Sequence, residues 1–153
     1  MTPWDIAPDR LAALTGEQDG RLAGLVVERE RRLAPARLWV LELHDGEVAL
    51  HDEDATERAA IGEVRTDRQG SNGFRLQLEG RVHLLHGFHP RNAREAAAAE
   101  PLAERHRALR LVPRPPEMTD RQYRRITGNR RAQQLLWREL WLAALAQAGA
   151  RTD

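Results

Sequence analysis

The chain has 153 residues, of which 31% are charged, and a formal net charge of +1. This length fits one domain with an appendage rather than two full domains, and the near balance of charge excludes both a general polycation and an acidic disordered chain. Because the chain has no cysteine, disulfides, a thiolate nucleophile and a cysteine-based zinc site are excluded as well.

The basic charge is concentrated toward the C-terminus. Ten arginines lie between residues 105 and 138, against only Glu117 and Asp120. All 24 basic residues are arginine, a usage typical of a GC-rich genome, so arginine content alone is weak evidence for a polyanion site. The stretch MTPWDIAPDR has neither a positive start nor an apolar run. We therefore expect no signal peptide and a cytoplasmic protein.

The first predicted elements are a polar segment with one short helix over residues 1–20 and an ambiguous segment over 22–33. The apolar run at 25–27 favours a strand. A helix is the alternative, but Gly20 and Gly24 weaken it. The sequence thus predicts a strand here, with the helix left open.

A β-hairpin is predicted in ARLWVLELHDGEVALHD. Asp45-Gly46 is the strongest short hairpin signal, because a type I′ turn requires positive φ at both central residues. Counting outward from the pair His44 and Glu47 gives one apolar face, which consists of Trp39, Leu41, Leu43, Val48 and Leu50. The opposite, polar face consists of Glu42, His44, Glu47 and His51. We therefore expect one face on a core and the other in water.

A second hairpin is predicted in FRLQLEGRVHLL. A three-residue loop over 78–80, with its glycine in the left-handed region, pairs Leu76 with Val82 and Phe74 with Leu84. These four side chains would then form the inner face of the hairpin.

The remaining elements change from strand to helix. Residues 61–65 predict a short strand, and RQGSNG predicts a turn. From Pro90 the alanine-rich composition predicts a helix, which Pro101 is expected to break or kink. VPRPPE predicts a linker over 113–118, followed by a helical tail over 119–150. Strands followed by helices indicate the α+β class.

The central part of the chain resembles the pleckstrin-homology-like family, including its GRAM relatives. The resemblance covers residues 22–110 and is carried by LWVLELHDGEVALHD, AIGEVRT, FRLQLEGRVHLLHGF and the helix from Pro90. It implies a small antiparallel barrel closed by that helix. It also implies a binding scaffold for peptides, proteins or lipids rather than an enzyme.

The histidines, the acidic residues and the serine do not form the pattern of a metal site or of a catalytic site. His83 and His86 point to opposite faces of a strand, and His44 and His51 lack a third ligand. A calcium-loop pattern over 52–63 lacks the required glycine. The only serine lies in GSNG, which is not a nucleophile elbow. We therefore expect no metal, no cofactor and no catalytic residue.

The stretch RQYRRITGNRRAQQLLWRELWLAAL predicts two helices. A capping box of Thr119 and Gln122 begins the first, and Gly128-Asn129 ends it and begins the second. Arginines cluster along the first helix and at the start of the second, namely Arg121, Arg124, Arg125, Arg130 and Arg131. They are candidate contacts for an anion or a nucleic acid, because clustered guanidinium groups suffice to bind phosphates.

The second of these helices has apolar residues on two sides. Because a single small barrel covers only one side, the helix is predicted to lie between the body of the protein and a protein partner, either itself in a homodimer or another chain. The predicted interface consists of Leu135, Leu136, Trp137, Leu140, Trp141 and Leu142. At about 21 Å over residues 135–148 the helix is too short to cross a membrane, so we expect no transmembrane segment.

The sequence therefore predicts an α+β protein with a small antiparallel pleckstrin-homology-like sheet or barrel, closed by a helix and followed by a C-terminal helical extension. Its parts are an N-terminal segment (1–20), the α+β domain (21–112), a linker (113–118) and the extension (119–150). The predicted function is a non-catalytic protein-binding or assembly module. Nucleic-acid binding through residues 119–131 is the alternative, and peripheral membrane or lipid binding is a third possibility.

Overall fold

The computed structural model describes residues 21–29, 36–115 and 117–152. Within these ranges the chain is α+β, with eight strands in one open, mostly antiparallel sheet and three helices. The predictions for residues 1–20 and 30–33 lie outside the described residues.

The sheet consists of two meanders joined side by side. Its strands are β1 (Leu22–Glu28), β2 (Arg37–His44), β3 (Glu47–His51), β4 (Thr56–Ala60), β5 (Arg65–Gln69), β6 (Gly73–Leu78), β7 (Arg81–Gly87) and β8 (Arg151–Thr152). The helices are α1 (Ala93–His106), α2 (Asp120–Thr127) and α3 (Arg130–Ala148). Because β1 pairs with both β2 and β7, the strand order is β4-β3-β2-β1-β7-β6-β5-β8. Strand β8 pairs with β5 in parallel.

The first hairpin has the predicted register. Asp45 and Gly46 adopt φ values of 49° and 73°, and His44 pairs with Glu47. The predicted apolar face of β2 and β3 is buried in the main core. The described part of the segment 22–33 is the strand β1, as predicted, and it is buried on both faces.

The second hairpin differs from the prediction by one residue. Its loop has two residues, Glu79 and Gly80, which adopt φ values of 49° and 80°. Leu76 therefore pairs with His83 rather than Val82. A shift of one residue moves every side chain of a strand to the other face. As a result His83 points into the core, whereas Val82 is 50% exposed.

Residues 61–65 do not form the predicted strand. Ile61–Glu63 is a short 3-10 turn between β4 and β5. The amide of Ile61 donates to the carbonyl of Gly46 at 2.8 Å, and the amide of Val64 donates to the carbonyl of Ile61 at 3.1 Å. The first bond joins the turn to the β2–β3 hairpin and the second closes the turn, and strand β5 begins only at Arg65.

The helix predicted from Pro90 begins at Ala93, after the N-cap Asn92, and it continues through Pro101. Tertiary packing outweighs the one hydrogen bond that proline removes. The buried side chains of α1 are Ala99, Leu102 and Ala103, and they pack on Ala23, Leu25, Val40 and Phe88. Those sheet residues alternate with the main-core residues, so α1 covers the outer face of the sheet. The helix thus packs outside the main core, and closure of a barrel by this helix stays a prediction.

The sheet is strongly curved, and α3 fills its concave face. Strands β4 and β7 are separated by three strands in the sheet order, yet Glu57 Oε2 lies 3.2 Å from His83 Nε2. The main core combines the inner side chains of the strands with the apolar side chains of α3, which are Leu136, Trp137, Leu140, Trp141, Leu142, Ala144 and Leu145. The segment predicted as an extension thus supplies two of the three tryptophans of the core, Trp137 and Trp141.

The closest approach between α3 and the sheet occurs at two glycines. A Cβ atom on Gly87 would lie 2.1 Å from Trp137 Cδ1, and one on Gly24 would lie 2.7 Å from Trp137 Cη2. Both distances are far below van der Waals contact. The indole of Trp137 therefore occupies the space that side chains on β1 and β7 would need.

Two charged residues of α3, Arg138 and Glu139, contact the β5–β6 hairpin. Arg68 Nε donates to Glu139 Oε1 at 2.9 Å. Arg138 Nη1 lies 3.4 Å from the carbonyl oxygens of Gly70 and Gly73. The charges that interrupt the apolar pattern of α3 are thus partners of the β5–β6 hairpin.

We predict that Gly87→Ala destabilises the protein by about 2 kcal/mol, the usual effect of overpacking a core. Gly62→Ala is the matched control, because a Cβ atom there would meet nothing within 4 Å. Denaturant unfolding measures both variants. The double variant of Gly87→Ala and Trp137→Leu should lose less stability than the sum of the two single losses, since the two sites are in contact. Equal stability of Gly87→Ala and the wild type would show that α3 does not pack here.

Candidate functional site

Helix α2 presents its arginines on the surface. Thr119 Oγ1 accepts a hydrogen bond from the Gln122 amide at 3.1 Å, and Gln122 Oε1 accepts one from the Thr119 amide at 2.9 Å. The predicted capping box is therefore confirmed. The three arginines of α2, Arg121, Arg124 and Arg125, are all exposed.

Two contacts fix α2 against the rest of the protein. The hydroxyl of Tyr123 donates to the carbonyl of Val112. His89 Nε2 donates to the carbonyl of Thr127 at 2.8 Å. The direction in which the arginines of α2 point is therefore set by the fold.

The start of α3 adds two more exposed arginines. Asn129 Oδ1 accepts a hydrogen bond from the Ala132 amide at 3.0 Å and caps the helix. Arg130 and Arg131 occupy the first turn, which contains no acidic residue. Cations are unfavourable at this end of a helix because the macrodipole is positive there. Helix stability therefore does not explain their position.

A recess opens between the end of β1, β7 and the start of α3. We call it the basic pocket, and it is lined by Val27, Arg29, Asn72, His86, Arg130, Arg131 and Gln134. Its volume is about 360 Å³. Among the described residues, the lining contains three arginines and one histidine but no carboxylate.

The cations of the basic pocket act on one another. Burial lowers the pKa of His86, and the charges of Arg29, Arg130 and Arg138 lower it further. Burial together with Arg91 and Arg29 likewise lowers the pKa of Arg130. The local field therefore disfavours positive charge.

Within the described residues, the arginines of the basic pocket contact no counter-ion. No hydrogen bond or ion pair there involves the side chain of Arg29, Arg130 or Arg131, although the charge of Glu95 acts on Arg130. Most guanidinium groups on the sheet are paired, as Arg37 is with Asp52 and Arg75 with Asp67. Positive charge therefore predominates in the described lining of the basic pocket.

One wall of the basic pocket is held by buried amides. Gln134 is buried, and its Nε2 donates to the carbonyl of Gly87 at 3.2 Å. Its Oε1 accepts a hydrogen bond from Asn72 Nδ2 at 2.5 Å. These contacts join the start of α3 to β7 and to the β5–β6 turn, so the recess does not depend on surface side chains alone.

The predicted protein interface on α3 is not a free surface. Five of its six side chains are buried in the chain's own core, namely Leu136, Trp137, Leu140, Trp141 and Leu142. Leu135 is half-buried. The curved sheet covers both apolar sides of the helix, whereas the prediction assumed that one side would be left for a partner.

A network of buried polar side chains lies in the core, and we did not predict it from the sequence. Glu28 Oε1 accepts a hydrogen bond from Trp39 Nε1 at 2.8 Å, and Glu28 Oε2 lies 2.8 Å from His83 Nδ1. Glu57 Oε2 lies 3.2 Å from the other ring nitrogen of His83. The imidazole is thus placed between two carboxylates.

The pKa values of Glu28 and His83 are shifted in opposite directions. Burial alone would raise the pKa of Glu28, but hydrogen bonds from His83 and Trp39 outweigh it and lower that pKa. Burial alone would lower the pKa of His83, but Glu28 and Glu57 outweigh it and raise that pKa. The pair is therefore stabilised as an ion pair. The signal that could have revealed it was the Glu79-Gly80 turn, because a two-residue loop directs His83 inward.

Two further histidines, His51 and His106, contact each other and their neighbours on the outer face of the sheet. His51 Nε2 lies 3.0 Å from Glu42 Oε1, and its Nδ1 lies 2.9 Å from Thr56 Oγ1. Its ring stacks on that of His106 in α1, with a centroid separation of 4.2 Å. The predicted polar face of the first hairpin is therefore partly covered by α1. Within the described ranges, no three His, Asp or Glu residues are grouped so that they could hold a metal ion.

The chain matches no protein-family model and no curated protein at a significant level of similarity. None of the helices in the described part of the chain is long and apolar enough to cross a bilayer. The function must therefore be inferred from the arginines and the basic pocket.

We predict that His83→Gln destabilises the protein more at about pH 6 than at about pH 9. The pKa of His83 is higher in the folded protein than in the unfolded chain. The charged imidazole therefore contributes its full stability at pH values below the pKa of the unfolded chain. This contribution is lost as the pH rises through the folded pKa. The expected loss at the lower pH is about 2 kcal/mol, measured by denaturant unfolding. His44→Gln, in the partly exposed hairpin, is the control, and equal losses at both pH values for His83→Gln would contradict the ion pair.

Proposed function

We propose that the protein is a non-catalytic module that binds the phosphate backbone of a nucleic acid. The observation that carries this proposal is the set of exposed arginines on consecutive turns of α2 and α3, which are Arg121, Arg124, Arg125, Arg130 and Arg131. Among the described residues, none of these side chains has an ion-pair partner. Unpaired guanidinium groups bind phosphates by releasing the counter-ions that surround the polyanion.

The rigidity of this surface supports the proposal. Helix α3 is fixed by its buried tryptophans, and α2 is fixed by the contacts of Tyr123 and His89. Side chains on fixed helices lose less entropy on binding than side chains on loose arms. The surface is therefore preorganised for an extended polyanion, although no base-reading motif accompanies it.

Self-assembly through α3 has lost its main support, because the apolar side chains of that helix are buried within the protein. A homodimer, a protein partner, lipid binding and a cytoplasmic location stay predictions. We also propose a pleckstrin-homology-like fold. It is supported by meanders of four and three strands around a core that a C-terminal helix fills.

We predict that the protein binds a short oligonucleotide with an affinity that falls about a hundredfold between about 50 mM and 200 mM salt. The reason is that roughly five phosphate contacts release a similar number of counter-ions. Fluorescence anisotropy with labelled DNA and RNA measures the affinity. The double variant Arg121→Gln, Arg125→Gln should reduce the slope of log affinity against log salt by about one to two units.

The matched control is the double variant Arg58→Gln, Arg65→Gln, which removes two exposed arginines from the strands β4 and β5. It carries the same change of net charge and should leave the slope almost unchanged. The absence of any complex at low salt would dispose of the proposal. An equal reduction by the control would show that only the net charge matters.

A further inference from the structure

The geometry points to the basic pocket as a binding site for a terminal phosphate group, a phosphomonoester together with the small group that bears it. This inference relies on the proposed function only for the source of the phosphate, which would be the end of a nucleic-acid strand. Arg130 and Arg131 belong both to the pocket and to the proposed nucleic-acid surface, whereas Arg29 and His86 belong to the pocket alone.

The first support is the charge of the basic pocket. Arg29, Arg130 and Arg131 meet at one recess, and no carboxylate of the described part of the chain lines it. Like charges that share a recess repel one another. A doubly charged anion would offset this repulsion, and a phosphomonoester carries between one and two negative charges near neutral pH.

The second support is the arrangement of donors. Arg29 follows β1, His86 lies on β7, and Arg130 and Arg131 begin α3, so donors approach the recess from three elements. One guanidinium group can donate two parallel hydrogen bonds to two oxygens of a phosphate. The ring of His86 makes no hydrogen bond within the described part of the chain and can supply a further N–H. A terminal phosphate offers three free oxygens, whereas a carboxylate offers two.

The third support is the size of the basic pocket and the nature of its walls. Its volume of about 360 Å³ lies within the range of small-molecule pockets. It therefore admits a phosphate group together with a sugar or a similar group, for which Val27 offers an apolar contact and Asn72 a polar one. A phosphate within a strand has chain on both sides and fits the open surface of α2 better than a recess.

The test follows the histidine in the basic pocket by NMR. The His86 ring resonances are titrated with pH in the presence and absence of inorganic phosphate at constant ionic strength. A bound anion should raise the pKa of His86, because it offsets the surrounding arginines. Arg29→Gln should abolish this rise and weaken phosphate binding about tenfold or more. The control Arg65→Gln, an exposed arginine on β5 outside the pocket, should leave both unchanged.

A second measurement identifies the source of the phosphate. The affinities of a short oligonucleotide with and without a terminal phosphate are compared by anisotropy. A preference of about tenfold for the phosphorylated strand, which Arg29→Gln removes, supports the end of a strand as the ligand. Phosphate binding without that preference supports the pocket with a free phosphomonoester as its ligand.

The inference is overturned if inorganic phosphate leaves the pKa of His86 unchanged, or if Arg29→Gln binds phosphate as the wild type does. These outcomes differ from a failure of the proposed function. If unphosphorylated oligonucleotides do not bind but inorganic phosphate still shifts His86, the surface of α2 has no role and the pocket stands. If oligonucleotides bind but inorganic phosphate does not shift the pKa of His86, the proposed function stands and the pocket is not a phosphate site.

Discussion

The rest of the structure depends on one close contact, in which the indole of Trp137 lies against Gly24 and Gly87. This contact lets α3 sit deep in the curved sheet, and it also sets the axial position of the helix. Gln134 and Arg130 lie three and seven residues before Trp137, on the same side of α3. With the indole in place, Gln134 reaches the carbonyl of Gly87 and Arg130 reaches the basic pocket. Core packing and the charged site are thus parts of one arrangement.

The elements that the sequence predicted correctly are those with local signals. Asp45-Gly46 defines a turn of fixed length, so the register of the first hairpin follows from counting. The capping box at Thr119 likewise locates α2. In the second hairpin the same counting failed, because Glu79 is an uncommon residue at positive φ. An error of one residue there concealed the buried His83.

The parts that the sequence did not predict depend on tertiary contacts. A helical wheel shows that α3 is apolar on two sides, but it does not show that a sheet can curve around both. The basic pocket joins Arg29, His86 and Arg130, which are far apart in the chain. No local pattern connects them. Of that site, only Arg130 and Arg131 could be identified in advance, since they belong to a visible cluster of arginines.

The most direct test of the account maps a short, single-stranded oligonucleotide onto the protein by the chemical shifts of its backbone amides. We expect changes along α2, at the first turn of α3 and around His86. We expect no change along the edge strand β4 or on α1. Changes confined to those two elements, or no change at low salt, would contradict the conclusion that the arginines on α2 and α3 form the binding surface.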